Sequence, residues 1–397
     1  MLVGLQVPSA YAKTQDQARI DAANLRQWIS NRIYSERFPN SAGAIASTDS
    51  DHPLAYRADE TPMTVVSSYF AHYAVLALLD TSVPGTPEHD EALELTANWI
   101  KWYFNHLRAP FNTEGPVYDV WYTYAGTGEA VTLREKLVIN NVVSYVDHPA
   151  HVDAVDSGAA MFFVVLQRYA QERRHLSILT DQGNAQKVIN LAKALMSLRR
   201  QSGLWCASNS YSSEYLMDNC EVWQGLNALA KLYSNVYTKT PETPDYSLAA
   251  TDLKSKILEE LWVVKEGHWL VARGEKYIPG DWYTGMMCQF WPVVTGLIAP
   301  TDKRAVAVSK TLSTNWMHGE KSDWVNNPWS VYKDAFINSS AAWFSILSGN
   351  KHNAGEWLQS IHKTNIKVLN GSGKFNAILG LSEASWLLKV LSELSKR

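Results

Sequence analysis

Cysteine is scarce in this chain. Its 397 residues include three, Cys206, Cys220 and Cys288, and an odd number excludes a complete disulfide framework. Cys206 and Cys220 could pair in an exported protein, but three buried thiols are the simpler expectation. No Cys-x-x-Cys metal site is present. An excess of positive charge is also missing. The formal net charge is −3, which leaves no electrostatic footprint for nucleic acid. Past the N-terminus no stretch reaches the ~20 apolar residues that a membrane-spanning helix needs. There is no Ser/His/Asp elbow, phosphate loop or dinucleotide fingerprint. No cofactor is expected, and no metal.

Aromatics are abundant, with 16 Trp and 19 Tyr. Many fall in polar, loop-like stretches, where flat faces suit stacking on sugar rings. Trp121, Trp205, Tyr211, Trp282 and Trp324 are the candidates of this kind, together with Trp223 and Asp281. Trp121, Trp205, Trp282 and Trp324 are expected to line one cleft.

The rest of the chain alternates between two kinds of helix. Segments 63–79, 153–172, 213–237, 281–297, 334–347 and 381–394 are apolar nearly all round, as buried helices are. Segments 16–37, 88–107, 184–199, 247–261, 302–316 and 352–363 carry a single apolar stripe. Six such pairs make six hairpins, a repeat that signals a closed or stacked array. The connections into the buried helices are long and those leaving them are short, so the long loops gather at one end. The longest, 108–152, holds an alternating aromatic strand at Val117–Tyr124, and segments this long are usually functional. A hairpin is expected over 262–278 with its turn at Glu266-Gly267. A closed ring with short hairpins in its loops leaves no room for two separate cores or for a sheet of five or more strands.

Acidic residues open the buried helices. Asp147, Asp153 and Asp156 precede or begin one, Asp218 and Glu221 the next, and Asp281 another. Burying a carboxylate at a helix mouth is costly unless it is paired or working. Glycoside hydrolysis uses two carboxyl groups, one to protonate the leaving oxygen and one to activate water or attack carbon. Asp156, at a helix N-terminus that favours its ionised form, suits the base. Asp119, on the aromatic strand, suits the acid. Glu114, Asp218, Glu221 and Asp281 are reserves. Asp218 alone could simply cap its helix, and Glu221 could pair with Arg273. His151 with Tyr145 could instead abstract a proton in a lyase.

The hairpin order, Asp156-Ser157-Gly158-Ala159-Ala160, Asp218-Asn219-x-Glu221-Val222-Trp223-x-Gly225-Leu226 and Pro279-Gly280-Asp281 with Gln289-x-Trp291-Pro292 resemble the six-hairpin glycosidase superfamily. The resemblance covers nearly the whole chain. It implies an all-α fold, an (α/α)6 barrel or toroid, with short β-hairpins at the active-site end. It also implies a funnel at the inner-helix N-termini and carbohydrate hydrolysis, here expected to proceed with inversion. The alternatives are a polysaccharide lyase on the same toroid and a non-catalytic glycan-binding protein. Carbohydrate is the expected partner, with a monomer as the default. Residues 1–12, ending in the small-x-small pattern Ala10-Tyr11-Ala12, read as a signal-peptide remnant. Residues 13–397 read as one domain of a secreted or periplasmic protein.

Overall fold

The computed structural model describes residues 10–33, 41–47, 55–56, 62–107, 120–123, 129–130, 132–139, 142–149, 155–172, 176–209, 211–275, 285–312, 339–355 and 380–396. Six buried helices form its inner layer. They are α2 (Ser68–Thr81), α4 (Val155–Gln171), α7 (Leu216–Asn235), α9 (Met287–Val294), α11 (Ser339–Leu347) and α12 (Leu381–Leu394). Each packs on the next, and α12 packs back on α2, so the ring closes. The outer layer is α1 (Ala10–Ser30), α3 (Pro87–His106), α6 (Gln182–Ser197), α8 (Tyr246–Glu260) and α10 (Lys303–Thr311). A further helical stretch begins at 351–355, and a short helix, α5 (Ser177–Thr180), leads into α6. This is the expected (α/α)6 barrel.

Burial explains the two layers. In α12 all but three residues are buried, so no face is left for water. In α8 only Tyr246, Ala249, Ala250, Leu253 and Ile257 are buried, a stripe at helical spacing. The outer helices also carry their own start signals. The side chains of Thr86, Asp181, Asp245 and Asp302 each accept from a backbone amide in the turn they open. Ser67, Tyr215, Met286 and Gly380, which precede α2, α7, α9 and α12, make no such bond.

The tightest contact in the ring is between α4 and α7. A methyl group placed on Gly225 would lie 2.6 Å from the Ala160 Cα and 2.9 Å from its carbonyl oxygen. Two small residues therefore let the backbones approach, and they fix how deep the neighbouring side chains of α7 sit.

The loops hold more β-structure than the sequence led us to expect. Strands β1 (Ala55–Tyr56), β2 (Pro62–Val66), β3 (Val120–Thr123), β4 (Glu129–Ala130), β5 (Thr132–Ile139) and β6 (Val142–Pro149) form one antiparallel sheet in the order β4-β3-β2-β1-β5-β6. A sheet of five or more strands had been excluded, and that exclusion was wrong. It assumed that such a sheet would replace the ring, whereas this one is built from the segments leading into α2 and α4. Two further corrections follow. Pro62–Val66 is a strand rather than the start of α2, because Pro62 and β-branched Thr64, Val65 and Val66 favour extended backbone. Asp147 and His148 pair with Arg134 and Leu133 in a long hairpin rather than lying in a loop that runs into α4.

The expected hairpin after α8 is present. Strands β7 (Trp262–Val263) and β8 (His268–Trp269) pair across a turn in which Gly267 takes φ 68°. The three cysteines are buried thiols outside any disulfide. None of the described helices is long and apolar enough to cross a membrane.

Candidate active site

Asp218 and Glu221 stand three residues apart on α7, so they share a face near its N-terminus. Glu221 is fully buried. Its Oε1 accepts from the Tyr69 hydroxyl at 2.7 Å, from the Tyr73 hydroxyl, and from the Trp291 indole at 3.0 Å. Three inner helices therefore meet at one oxygen: α2 supplies the tyrosines, α9 the tryptophan and α7 the carboxyl. Ser157, in the first turn of α4, lies close to the same carboxyl. Its Oε2 is buried without a hydrogen-bond partner.

The arrangement is electrostatically poised. Burial pushes the Glu221 carboxyl up from 4.5 to about 7, against the stabilising bonds from Tyr73, Tyr69 and Trp291. Burial and then the neighbouring Glu221 push the phenols of Tyr69 and Tyr73 well above their ordinary value, with Asp218 adding to the effect. Asp218 is thus close to both phenols. It is half-buried, as is Tyr69, whereas Tyr73 and Trp291 are buried. Below this level the Trp386 ring packs on Tyr73 and Trp291, with centroids 5.4 and 5.5 Å away, and forms a floor.

The other expected site residues divide into three groups. Asp156 is fully buried in the first turn of α4, where Oδ1 accepts from the Ser157 amide at 2.8 Å. Its backbone and that of Val155 donate to the Ala207 carbonyl, which ties α4 to the loop after α6. Asp156 therefore stands inside the first turn, beside the buried Cys206 thiol. Asp119, Glu114, Asp281, Trp282, Trp324 and His151 lie outside the described residues, and of Trp121 only the backbone is described, in β3. Tyr211 is 49% exposed, and its hydroxyl meets that of Tyr215 at 2.7 Å on the loop entering α7.

Three expectations are corrected. Trp205 is not a stacking platform. It is fully buried, its indole donates to the Leu195 carbonyl at 2.9 Å, and Arg199 lies over its ring. Trp223 is half-buried with Lys254 of α8 over its ring, so it belongs to the packing between layers. Arg273 pairs with Glu260 and Glu214, not with Glu221.

Two amides hold the loops that lead to this end. Asn219 accepts from the Trp205 amide at 2.8 Å and donates to the Trp205 carbonyl at 2.9 Å. Gln289 does the same for the backbone of Trp269, at 2.7 and 2.9 Å. Each inner-helix side chain thus imitates a neighbouring strand.

The sequence reading found Glu221 but missed Tyr69, Tyr73 and Trp291. The available signal was two tyrosines at i and i+4 in an otherwise apolar helix, which puts two polar tips on one face. Among the described residues no group of His, Cys, Asp and Glu is arranged to hold a metal.

No protein-family model matches the sequence, and no curated protein matches it. Solved structures do. A glycosidase, solved as a tyrosine-to-phenylalanine and as a glutamate-to-alanine variant, is 12% identical, with 97% of each chain covered and TM-scores of 0.58 and 0.56. An α-amylase from Clostridium perfringens is 11% identical, covering 94% of this chain and 97% of its own, at a TM-score of 0.50. A mannosylglycerate hydrolase from Thermus thermophilus, in complex with glucose, is 10% identical at 0.50, covering 94% and 99%. At these identities the likeness establishes the barrel, end to end.

Proposed function

We propose that this chain is a glycoside hydrolase that cleaves an oligo- or polysaccharide with carboxyl groups gathered at the inner-helix N-termini. Glu221 carries the reading. A carboxyl withdrawn from water, kept near 7 and gripped by two tyrosines and a tryptophan from other helices, is what acid–base chemistry at a glycosidic bond requires. The structural neighbours add weight: a glycosidase, an α-amylase and a glycoside-cleaving hydrolase share the barrel over nearly the full length.

In this reading Asp218 and Glu221 replace Asp156 as the central carboxyls, because Glu221 gathers donors from two other inner helices whereas Asp156 Oδ1 accepts from the adjoining Ser157 amide. Asp119 is kept as the leaving-group acid. Inversion, with carboxyl groups ~6.5–9.5 Å apart and a water between them, is part of the proposal. Tyr211, at the exposed rim, stacks on the sugar chain. Export is proposed as well, and N-terminal sequencing of the mature protein tests it.

The test is digestion of α- and β-linked gluco-, manno- and galacto-oligosaccharides, with products weighed by mass spectrometry. Products heavier by one water are expected. Unsaturated products would mean a lyase, and binding without any product would mean a glycan-binding protein. NMR of the first anomer released reads inversion directly. On the sugar that is cleaved, Asp218→Asn should lower kcat by about 10²–10⁴-fold. Asp156→Asn, which keeps an acceptor oxygen for the Ser157 amide, should keep its stability and most of its turnover. Full stability with lost turnover would return the base to Asp156. Tyr211→Ala should raise KM by about tenfold with kcat little changed, as expected for the loss of ~1–3 kcal/mol of stacking on an apolar face; an unchanged KM removes Tyr211 from the site.

A further inference from the structure

Glu221 cannot touch a substrate where it stands, because its side chain has no exposed surface. Its partners Tyr73, Trp291 and Ser157 are buried too. Tyr69 alone among them keeps exposed surface, and it stands in the first turn of α2, at the end of the ring where the long loops gather. Whatever Glu221 contributes at the sugar passes through that phenol.

We propose, on the basis of the hydrolase reading above, that Tyr69 is a catalytic residue through which Glu221 acts as base on the attacking water. The direction of the hydrogen bond selects base over acid. Tyr69 already donates to Oε1, so its proton lies toward the carboxylate, and its oxygen keeps a lone pair with which to accept a proton from water. In the step, a water O–H bond breaks and its proton passes to the Tyr69 oxygen. The phenol's own proton passes to Glu221 Oε1. The water oxygen bonds to the anomeric carbon as the glycosidic C–O bond breaks, and the leaving oxygen takes a proton from the second carboxyl group. One proton has moved from water to Glu221, and Tyr69 ends as it began.

The raised phenol values fit this role. A phenol held well above its ordinary value is not a resting phenolate, so it conveys a proton rather than storing a negative charge. Tyr73 is the internal comparison. It donates to the same oxygen, but it is buried, so it holds the carboxylate without reaching the site. The titratable groups around Glu221 are Tyr69 and Tyr73 on α2, and Asp218 and Cys220 on α7. From α4 and α9 it meets Ser157 and Trp291, which do not titrate. The Cys220 thiol is pushed well above 9 and the phenols well above 10, so none of these three loses its proton near neutrality.

The experiment uses the full chain and the oligosaccharide that the wild type cleaves best in the panel. Tyr69→Phe is expected to lower kcat at least 100-fold with KM little changed, and Tyr73→Phe less than tenfold. The kcat/KM profile of the wild type should rise through about pH 7. That limb should survive in Asp218→Asn and vanish in Glu221→Gln, whose fold is checked by its melting curve. Equal losses in Tyr69→Phe and Tyr73→Phe, or a limb near 7 that persists in Glu221→Gln, would overturn the relay while leaving hydrolysis in place. A wild type inert on every sugar overturns the hydrolase reading and the relay with it.

Discussion

At pH 8, Glu221→Gln should melt above the wild type, and at pH 4 the two should melt together. The folded carboxyl titrates at about 7 against an ordinary 4.5. Between those values the unfolded chain has released a proton that the folded chain still holds, so stability falls as pH rises through this window. Above pH 7 the full cost is present, roughly 3 kcal/mol at about 1.4 kcal/mol per unit. Below 4.5 both states are protonated and the cost disappears. Glutamine keeps a carbonyl oxygen for Tyr69, Tyr73 and Trp291 and carries no charge to desolvate. In a chain this long the gain corresponds to about 4 °C in Tm. Melting curves of both proteins at pH 4 and pH 8 measure it, and a difference independent of pH would show that Glu221 is not held above its ordinary value. The same substitution should remove turnover, so the stabilised protein is the inactive one.

The second large effect is steric. Gly225→Ala places a methyl carbon 2.6 Å from a backbone atom of α4, and backbone cannot swing aside as a side chain can. The helices must separate, at a cost of about 1–3 kcal/mol for overpacking. Alanine favours helix by about 1 kcal/mol over glycine, so the direction of the change identifies which effect wins. Denaturant unfolding should show a lowered midpoint. Because Glu221 lies one turn earlier on α7, turnover should fall beyond what the lost stability explains. A variant as stable as the wild type would mean that α4 and α7 do not approach this closely.

The ring was legible in the sequence because α2 and α11 are apolar over most of their surface, whereas α8 shows one stripe. The sheet was not. Residues 132–139 mix Arg134, Glu135 and Lys136 with apolar neighbours, and 62–66 is a short apolar run that periodicity alone cannot separate from the helix that follows it. At the site, Asp218 and Glu221 were visible as two carboxyls on one helix face. Their partners were not, since Tyr69, Tyr73 and Trp291 come from helices distant in the chain. Trp205 marks a limit of a different kind. An aromatic in a polar loop looks available for binding, but this loop folds under itself and the indole finds the Leu195 carbonyl. Composition cannot tell a loop that lines a cleft from one that closes a layer.

The clasps of Asn219 on Trp205 and of Gln289 on Trp269 bear on how such a rim can be remodelled. Each pins one point of a connecting loop to the helix that follows. Ten residues, 206–215, separate Trp205 from the start of α7, and seventeen, 270–286, separate Trp269 from the start of α9. Between such fixed points, a segment can be lengthened or exchanged while the closure penalty grows only with the logarithm of its length. A graft that keeps Trp205 to Ser208 and the chain from Ser213 through Asn219, and exchanges only the stretch around the exposed Tyr211, would put a new rim on the barrel with its core contacts and Asp218 unchanged.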